Sequence, residues 1–260
     1  MTDTIRIETD DRGIATLALA RPEKHNAMSA EMIAELTEAA ATLGADPGVR
    51  AVILAADGAT FCAGGDLNWM RAQADATRAQ RIAEAKKLAG MLRALDTLPK
   101  PLIGRIHGNA FGGGVGLACV CDMTIGTDAV RMGLTETRLG LIPATIGPYV
   151  AARVGPARAR AVFMSGQRFG ADEALRLGLL SHCVEADALE FTVRDAAEAY
   201  RDCAPGAVAA AKALLRSFAP PIDDAVLDRT ANALADQWET DEAAEGIAAF
   251  FGKRAPAWTD

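Results

Sequence analysis

Residues 49–56 are apolar at every position except Arg50, and that run limits the fold more than any other feature. A strand with one wet face alternates polar and apolar residues; a continuous apolar strand is covered on both faces, as in a parallel sheet flanked by helices. Residues 102–106 make a second such run. Around them the pattern alternates. Ile5-Arg-Ile7 and Ile14-Ala-Thr-Leu-Ala-Leu19 flank Asp10-Asp-Arg-Gly13, which reads as an antiparallel hairpin. Ser29 can cap a helix carrying Met32, Ile33, Leu36, Ala40 and Leu43 on its apolar face, stopped by Gly44 and Pro47. A long helix is expected over 77–95, ended by Pro99 and Pro101, and an apolar helix over 115–121. From Gly147 onward the pattern is helical, with one strand expected at 179–184. Strand–helix alternation followed by helices implies an α/β core with a helical C-terminal region, divided as 1–200 and 201–260. No internal repeat or low-complexity linker is visible.

Bulk properties exclude several functions. The 260 residues carry a formal charge of −7 spread along the chain, which repels phosphate backbones and argues against nucleic-acid binding. No apolar run reaches the roughly 18–20 residues needed to span a bilayer. Residues 1–10 alternate polar and apolar and lack a signal-peptide core, so a cytoplasmic protein without a membrane partner is expected. The five cysteines (Cys62, Cys119, Cys121, Cys183, Cys203) lie mostly in apolar stretches and read as buried free thiols; without CxxC spacing or nearby histidines they suggest no metal site.

Two glycine loops, Phe61-Cys-Ala-Gly-Gly-Asp-Leu67 and His107-Gly-Asn-Ala-Phe-Gly-Gly-Gly-Val-Gly-Leu117, each follow a buried strand and precede a helix. Glycine lets backbone N–H groups approach a ligand, and two such loops facing one point would make an oxyanion hole. The bland alternative is two tight turns chosen for backbone geometry. Neither loop matches a dinucleotide fingerprint or a P-loop, and there is no serine elbow or HExxH. His25, His107 and His182 are scattered and read as structural. Glu136 is a lone carboxylate in the mostly apolar, glycine-bearing Met132-Gly-Leu-Thr-Glu-Thr-Arg-Leu-Gly-Leu-Ile-Pro143. Burial there would raise its pKa toward neutrality and suit it to proton transfer; pairing with Arg131 or Arg138 at the surface is the alternative.

Taken together, these segments resemble the crotonase (enoyl-CoA hydratase/isomerase) superfamily over nearly the whole chain. Arg21-Pro-Glu-Lys-His-Asn-Ala27 resembles its CoA-binding turn, the two glycine loops its oxyanion loops, and Ser165-Gly-Gln-Arg-Phe through Gly178-Leu-Leu its trailing helix–strand signature. The resemblance implies a spiral of repeated ββα units, a C-terminal helical trimerisation region, and a homotrimer or dimer of trimers. It also implies an acyl-CoA thioester substrate, coenzyme A being part of the substrate, with no further cofactor and no metal. Carried over by position, the N–H groups of Gly65 and Gly113 hold the thioester oxygen and Glu136 moves protons. Ala27, Ala63 and Gly65 border the adenine, and Lys24, together with Lys253 of a neighbouring subunit, meets the CoA phosphates. Glu23 stands where the family commonly has lysine. Asp66, Leu67, Trp69, Gly112 and Gly116 complete the expected substrate site, and Trp69, Met70, Met132, Ile146 and Tyr149 are candidates for the acyl pocket or for core.

One departure decides between chemistries. Well-known hydratases of the family carry two glutamates; here the first position is Gly116, and Glu136 stands alone. A single glutamate suits a Δ3,Δ2-enoyl-CoA isomerase. Asp66-Leu-Asn-Trp-Met70 and residues 133–149, however, resemble the methylglutaconyl-CoA and isohexenylglutaconyl-CoA hydratases, a branch that also lacks the first glutamate and whose substrates carry an extra carboxylate. The first expectation is therefore a lyase, an enoyl-CoA hydratase for branched or glutaconyl-type acyl groups in fatty-acid or branched-chain acyl-CoA catabolism. The isomerase comes second, followed by other crotonase chemistries such as thioester hydrolysis or decarboxylation, with a non-catalytic acyl-CoA-binding protein as the alternative of a different class.

Overall fold

The first hairpin forms where the alternation predicts it. In the computed structural model, which describes residues 4–259, strand β1 (Ile5–Thr9) runs antiparallel to β2 (Ile14–Leu19) with Ile5 opposite Leu19. The Asp10 carboxylate closes the turn by accepting from the N–H groups of Arg12 and Ile14 at 3.0 and 2.9 Å. Residues 1–3 of the N-terminal stretch lie outside the described residues. Helix α1 (Ala30–Ala45) is capped by Ser29, whose Oγ accepts from the Met32 N–H at 3.2 Å, and it buries the expected face. It passes through Gly44 and ends at Asp46.

From residue 51 one structural unit occurs three times. The first is β3 (Ala51–Ala56) and β4 (Thr60–Cys62), followed by α2 (Leu67–Ala74) and α3 (Arg78–Asp96). The second is β5 (Leu102–Ile106), β6 (Asn109–Phe111) and α4 (Gly113–Cys119). The third is β7 (Met123–Thr127) and β8 (Arg131–Gly133), a 3₁₀ turn over Glu136–Leu139, and α5 (Gly147–Val154). Then come α6 (Pro156–Phe163), β9 (Arg168–Gly170), α7 (Ala171–Leu177), β10 (His182–Val184), α8 (Leu189–Glu198), α9 (Pro205–Ser217), α10 (Asp224–Trp238) and α11 (Asp241–Phe251). The first strand of each unit enters a sheet of order β1-β2-β3-β5-β7-β10, and the second enters a smaller sheet of order β4-β6-β8-β9. This is the expected α/β spiral of ββα units.

Strand β3 is buried at every position and pairs in parallel with β2 and β5. One face of its sheet packs into the main core; the other is covered by Leu189, Val193 and Ala197 of α8. The whole second sheet escaped the sequence reading because its strands have three residues each, too few to display a period. After Gly147 there are two strands where one was expected. The 179–184 stretch narrows to β10 because the N–H groups of Leu179 and Leu180 return to the Ala174 carbonyl and close the end of α7. Strand β3 begins at Ala51, since Val49 donates to Asp46 in a turn. Cys62, Cys119 and Cys121 are buried, and burial pushes each thiol up to about 12. Cys183 is half-buried and Cys203 exposed, so the buried-thiol expectation fails for the last, which follows a short surface turn. No helix among the described residues is long and apolar enough to cross a membrane.

The two sheets meet through glycine. A Cβ on Gly114 would overlap the Cys62 carbonyl, and one on Gly108 would overlap that of Ala59. Replacing Gly114 with alanine is therefore expected to lower stability by roughly 1–3 kcal/mol, the usual cost of overpacking. A lower urea midpoint at unchanged slope is the expected readout; an unchanged midpoint would mean that α4 can slide off β4 freely.

Candidate active site

The ends of β4, β6 and β8 open into one cavity of about 690 Å³. Register puts them side by side. Strand β4 pairs with β6 through Cys62 and Ala110, and β6 with β8 through Phe111 and Gly133. The chain leaves β4 into Ala63–Asp66, leaves β6 into Gly112 and Gly113, and leaves β8 into the turn carrying Glu136.

The first loop is held by polar groups that periodicity does not reveal. Asn26, fully buried and left-handed at φ 52°, accepts from the Arg21 N–H at 2.9 Å and donates to the carbonyls of Asp57 and Thr60, both at 2.8 Å. Arg21 donates to the Ala27 carbonyl and pairs with Asp66 at 3.0 Å. Asp66 also caps α2, accepting from Asn68 and Trp69. Burial opposes its ionisation, but those N–H groups and the Arg21 guanidinium outweigh it and hold the carboxyl below its usual range. The Asp66 carboxylate thus has three partners within the protein, although the residue also borders the cavity. Gly64 at φ 100° brings its backbone against the second loop; a Cβ there would stand 3.8 Å from the Gly113 nitrogen.

Neither the Gly65 nor the Gly113 N–H donates to any acceptor among the described residues. Both residues border the cavity. Gly113 opens α4, where the first N–H groups of a helix lack intrahelical partners. Gly112 takes φ 49° and ψ −114°, a backbone suited to glycine, and its own N–H is tied to the Gly133 carbonyl at 2.9 Å. A Cβ on Gly112 would stand 3.0 Å from the Glu136 Oε1, so the missing side chain is what admits the carboxylate. Two free N–H groups beside a carboxylate can stabilise negative charge on an oxygen while a proton moves nearby.

Glu136 makes no ion pair among the described residues, and its Oε2 is buried with no hydrogen-bond partner. Arg131 instead donates to the carbonyls of Asp128 and Val130, so the surface-pair alternative is not realised there. Desolvation pushes the Glu136 carboxyl up to about 7, against a smaller lowering from its own backbone N–H. Its turn is braced by the C-terminal helices: Gln237 of α10 donates to the Gly140 carbonyl at 2.8 Å, and α11 packs so closely that a Cβ on Gly140 or Gly246 would overlap the facing backbone.

Of the other expected site residues, Lys24, Ala27 and Ala63 border the cavity, as do Leu67 and Trp69. Gly116 and Lys253 do not. Gly116 lies one turn into α4, and the space at its Cα is filled: a Cβ there would be 3.1 Å from the Ile146 Cβ and 3.7 Å from the Leu92 Cδ2. Lys253 is exposed just beyond α11. Among the acyl-pocket candidates, Trp69, Met70 and Ile146 border the cavity, while Met132 and Tyr149 are core. His25 lines the cavity. His107 donates from Nε2–H to the Gly58 carbonyl, 2.8 Å away, and burial lowers its pKa; His182 is exposed on β10. Sequence reasoning missed the contributions of Phe111, Arg168, Leu234, Trp238 and Phe250 to the wall. Apart from the closeness of Phe111 to the glycines, no local pattern marks them.

A family model described as enoyl-CoA hydratase/isomerase matches residues 9–260. The crystal structure of an enoyl-CoA hydratase from Mycobacterium smegmatis is 34% identical and superposes with a TM-score of 0.80, covering 99% of each chain. Pseudomonas aeruginosa AtuE is 39% identical with a TM-score of 0.79 over 99% of this chain and 100% of that one. The enoyl-CoA hydratase ACTT6 of Alternaria alternata is 36% identical over 206 residues, 78% of this chain and 67% of that protein. The chain belongs to the enoyl-CoA hydratase/isomerase family and is an enzyme of that type with the crotonase fold.

The raised Glu136 pKa has a consequence for stability. The folded chain keeps this proton up to about pH 7, whereas the unfolded chain releases it in the ordinary carboxylate range. Stability therefore falls as pH rises through that window. Glu136→Gln removes the loss, and its melting temperature is expected to exceed that of the wild type by a few degrees at pH 8 and to match it at pH 4. Equal melting temperatures at both pH values would mean that the Glu136 carboxylate is well solvated.

Proposed function

We propose that, within this family, the chain is an enoyl-CoA hydratase that adds water across the 2,3 double bond of a branched or glutaconyl-type acyl-CoA thioester. The observation that carries this reading is the carboxyl of Glu136 on the cavity wall, its Oε2 buried without a partner and its pKa raised to about 7, beside the free N–H groups of Gly65 and Gly113. The thioester oxygen accepts from those two N–H groups. Ionised Glu136 takes a proton from a water molecule as its oxygen bonds to carbon 3. Electrons move onto the thioester oxygen as an enolate, and Glu136 returns the proton to carbon 2. Water and enoyl thioester become a 3-hydroxyacyl thioester with Glu136 restored, so the coenzyme A belongs to the substrate and no further cofactor is needed. A second carboxylate on the substrate gives the water another acceptor, which the protein does not supply from position 116. Catalysis takes place in the cytoplasm in a homotrimer or dimer of trimers, with 201–260 as the trimerisation region; the exposed Leu214, Leu215 and Phe218 at the end of α9 support that assembly.

A Δ3,Δ2-enoyl-CoA isomerase is the second reading, favoured by Ile146. Its side chain fills the space at Gly116 with hydrocarbon, and a held water normally needs two to four polar partners. An isomerase needs none: Glu136 takes a proton from carbon 2 and returns it to carbon 4.

Incubation in D₂O with crotonyl-CoA, 3-methylglutaconyl-CoA and a 3-enoyl-CoA, followed by mass spectrometry, separates the two. Hydration of a 2-enoyl thioester, with 3-methylglutaconyl-CoA preferred, is expected; double-bond migration with deuterium uptake and no hydration would establish the isomerase. Glu136→Gln is expected to lower kcat by about 10²–10⁴-fold, and retained turnover would remove Glu136 from the mechanism. Because the base must be ionised, kcat/KM for hydration should decline below about pH 7. A bulky residue at Gly113 should impair both binding and turnover, and full activity in that variant would refute the oxyanion assignment.

A further inference from the structure

The second sheet continues past Glu136. Strand β9 is antiparallel to β8, and Arg168, its first residue, lies opposite Gly133. Gly133 lies opposite Phe111. One wall of the cavity therefore runs, strand by strand, from the first glycine loop through the second loop and Glu136 to Arg168. With neighbouring strands roughly 4.8 Å apart, Arg168 is about two spacings beyond Phe111. Its side chain reaches back across that interval, setting its guanidinium carbon 4.8 Å from the centre of the Phe111 ring.

We propose that Arg168 is a specificity-determining residue that receives a carboxylate at the far end of the acyl chain. The cavity wall carries three lysine or arginine side chains: Lys24, Arg71 and Arg168. Lys24 belongs to the turn that precedes the first loop, and Arg71 lies over the Phe251 ring. Arg168 alone stands on the side of Glu136 away from the first loop. It has no ion pair and donates no hydrogen bond among the described residues; its one specific contact is the Phe111 ring. Stacking leaves the N–H edge of a guanidinium free, and that edge matches a carboxylate with two parallel hydrogen bonds. A thioester oxygen held at Gly65 and Gly113 and a distal carboxylate held at Arg168 would stretch the acyl chain across Glu136, which lies between them in strand order. A neutral acyl chain of the same length would be fixed at one end only.

This inference rests on the acyl-CoA reading of the cavity but not on which reaction follows, so its test uses binding of unreactive thioesters. The saturated pair glutaryl-CoA and butyryl-CoA is titrated calorimetrically into wild type, Arg168→Gln and Arg168→Lys. Glutaryl-CoA is expected to bind wild type more tightly than butyryl-CoA. Arg168→Gln should weaken glutaryl-CoA about 10–100-fold, as for loss of a hydrogen-bonded charge, and change butyryl-CoA less than about threefold; Arg168→Lys should recover part of the loss. Equal wild-type affinities, or a Gln variant that weakens both ligands alike or neither, would overturn the assignment and leave Arg168 a surface arginine resting on an aromatic ring. If neither thioester binds wild type, the acyl-CoA reading itself fails. Loss of hydration with selective glutaryl-CoA binding intact would count against the hydratase alone.

Discussion

Everything at this site depends on how closely backbones approach where the two sheets meet. Gly108 lies against the carbonyl of Ala59 and Gly114 against that of Cys62, at separations that leave no room for a Cβ. These contacts draw the first and second units of the spiral together, so that loops leaving β4 and β6 end on the same cavity. Gly64 and Gly112 then supply backbone conformations disfavoured for other residues. The polar hardware of the first loop, Asn26 and the Arg21–Asp66 pair, satisfies the groups that this close packing buries.

The pKa of Glu136 is raised by what surrounds it. An ionised carboxylate out of water is costly unless paired, and no cation pairs with Glu136 among the described residues. Instead the turn carrying it is braced by Gln237 and by the packing of α11. The C-terminal helices, which look remote in sequence, thus hold the Glu136 turn in place, and they add Leu234, Trp238 and Phe250 to the cavity wall. Ile146, which borders the cavity, takes the space at Gly116 with hydrocarbon.

Most of the larger sheet, all but β7, and the first long helices were legible in the sequence because their physics is local. The apolar runs of β3 and β5, the Ser29 cap of α1 and the apolar stripe of α3 each leave a periodic or stereochemical signature. The second sheet left none. Its strands are too short to display alternation, and the three ββα units share a path through space without sharing side chains, since each short strand ends in a different functional loop. Cys203, preceded by Arg201 and Asp202, lies at the surface.

The sequence by itself determined the long helices, the apolar strands β3 and β5, the first hairpin, the glycine loops and the lone carboxylate, because helix caps, strand burial and glycine stereochemistry depend on neighbours along the chain. Its ordered motifs also marked the family. Only the tertiary structure decided that Asp66 is engaged by Arg21, that Ile146 closes the space at Gly116, and that an unpaired Arg168 shares a wall with Glu136. Partners separated by 45, 30 and 32 positions meet through strand register and helix packing, which no local pattern encodes.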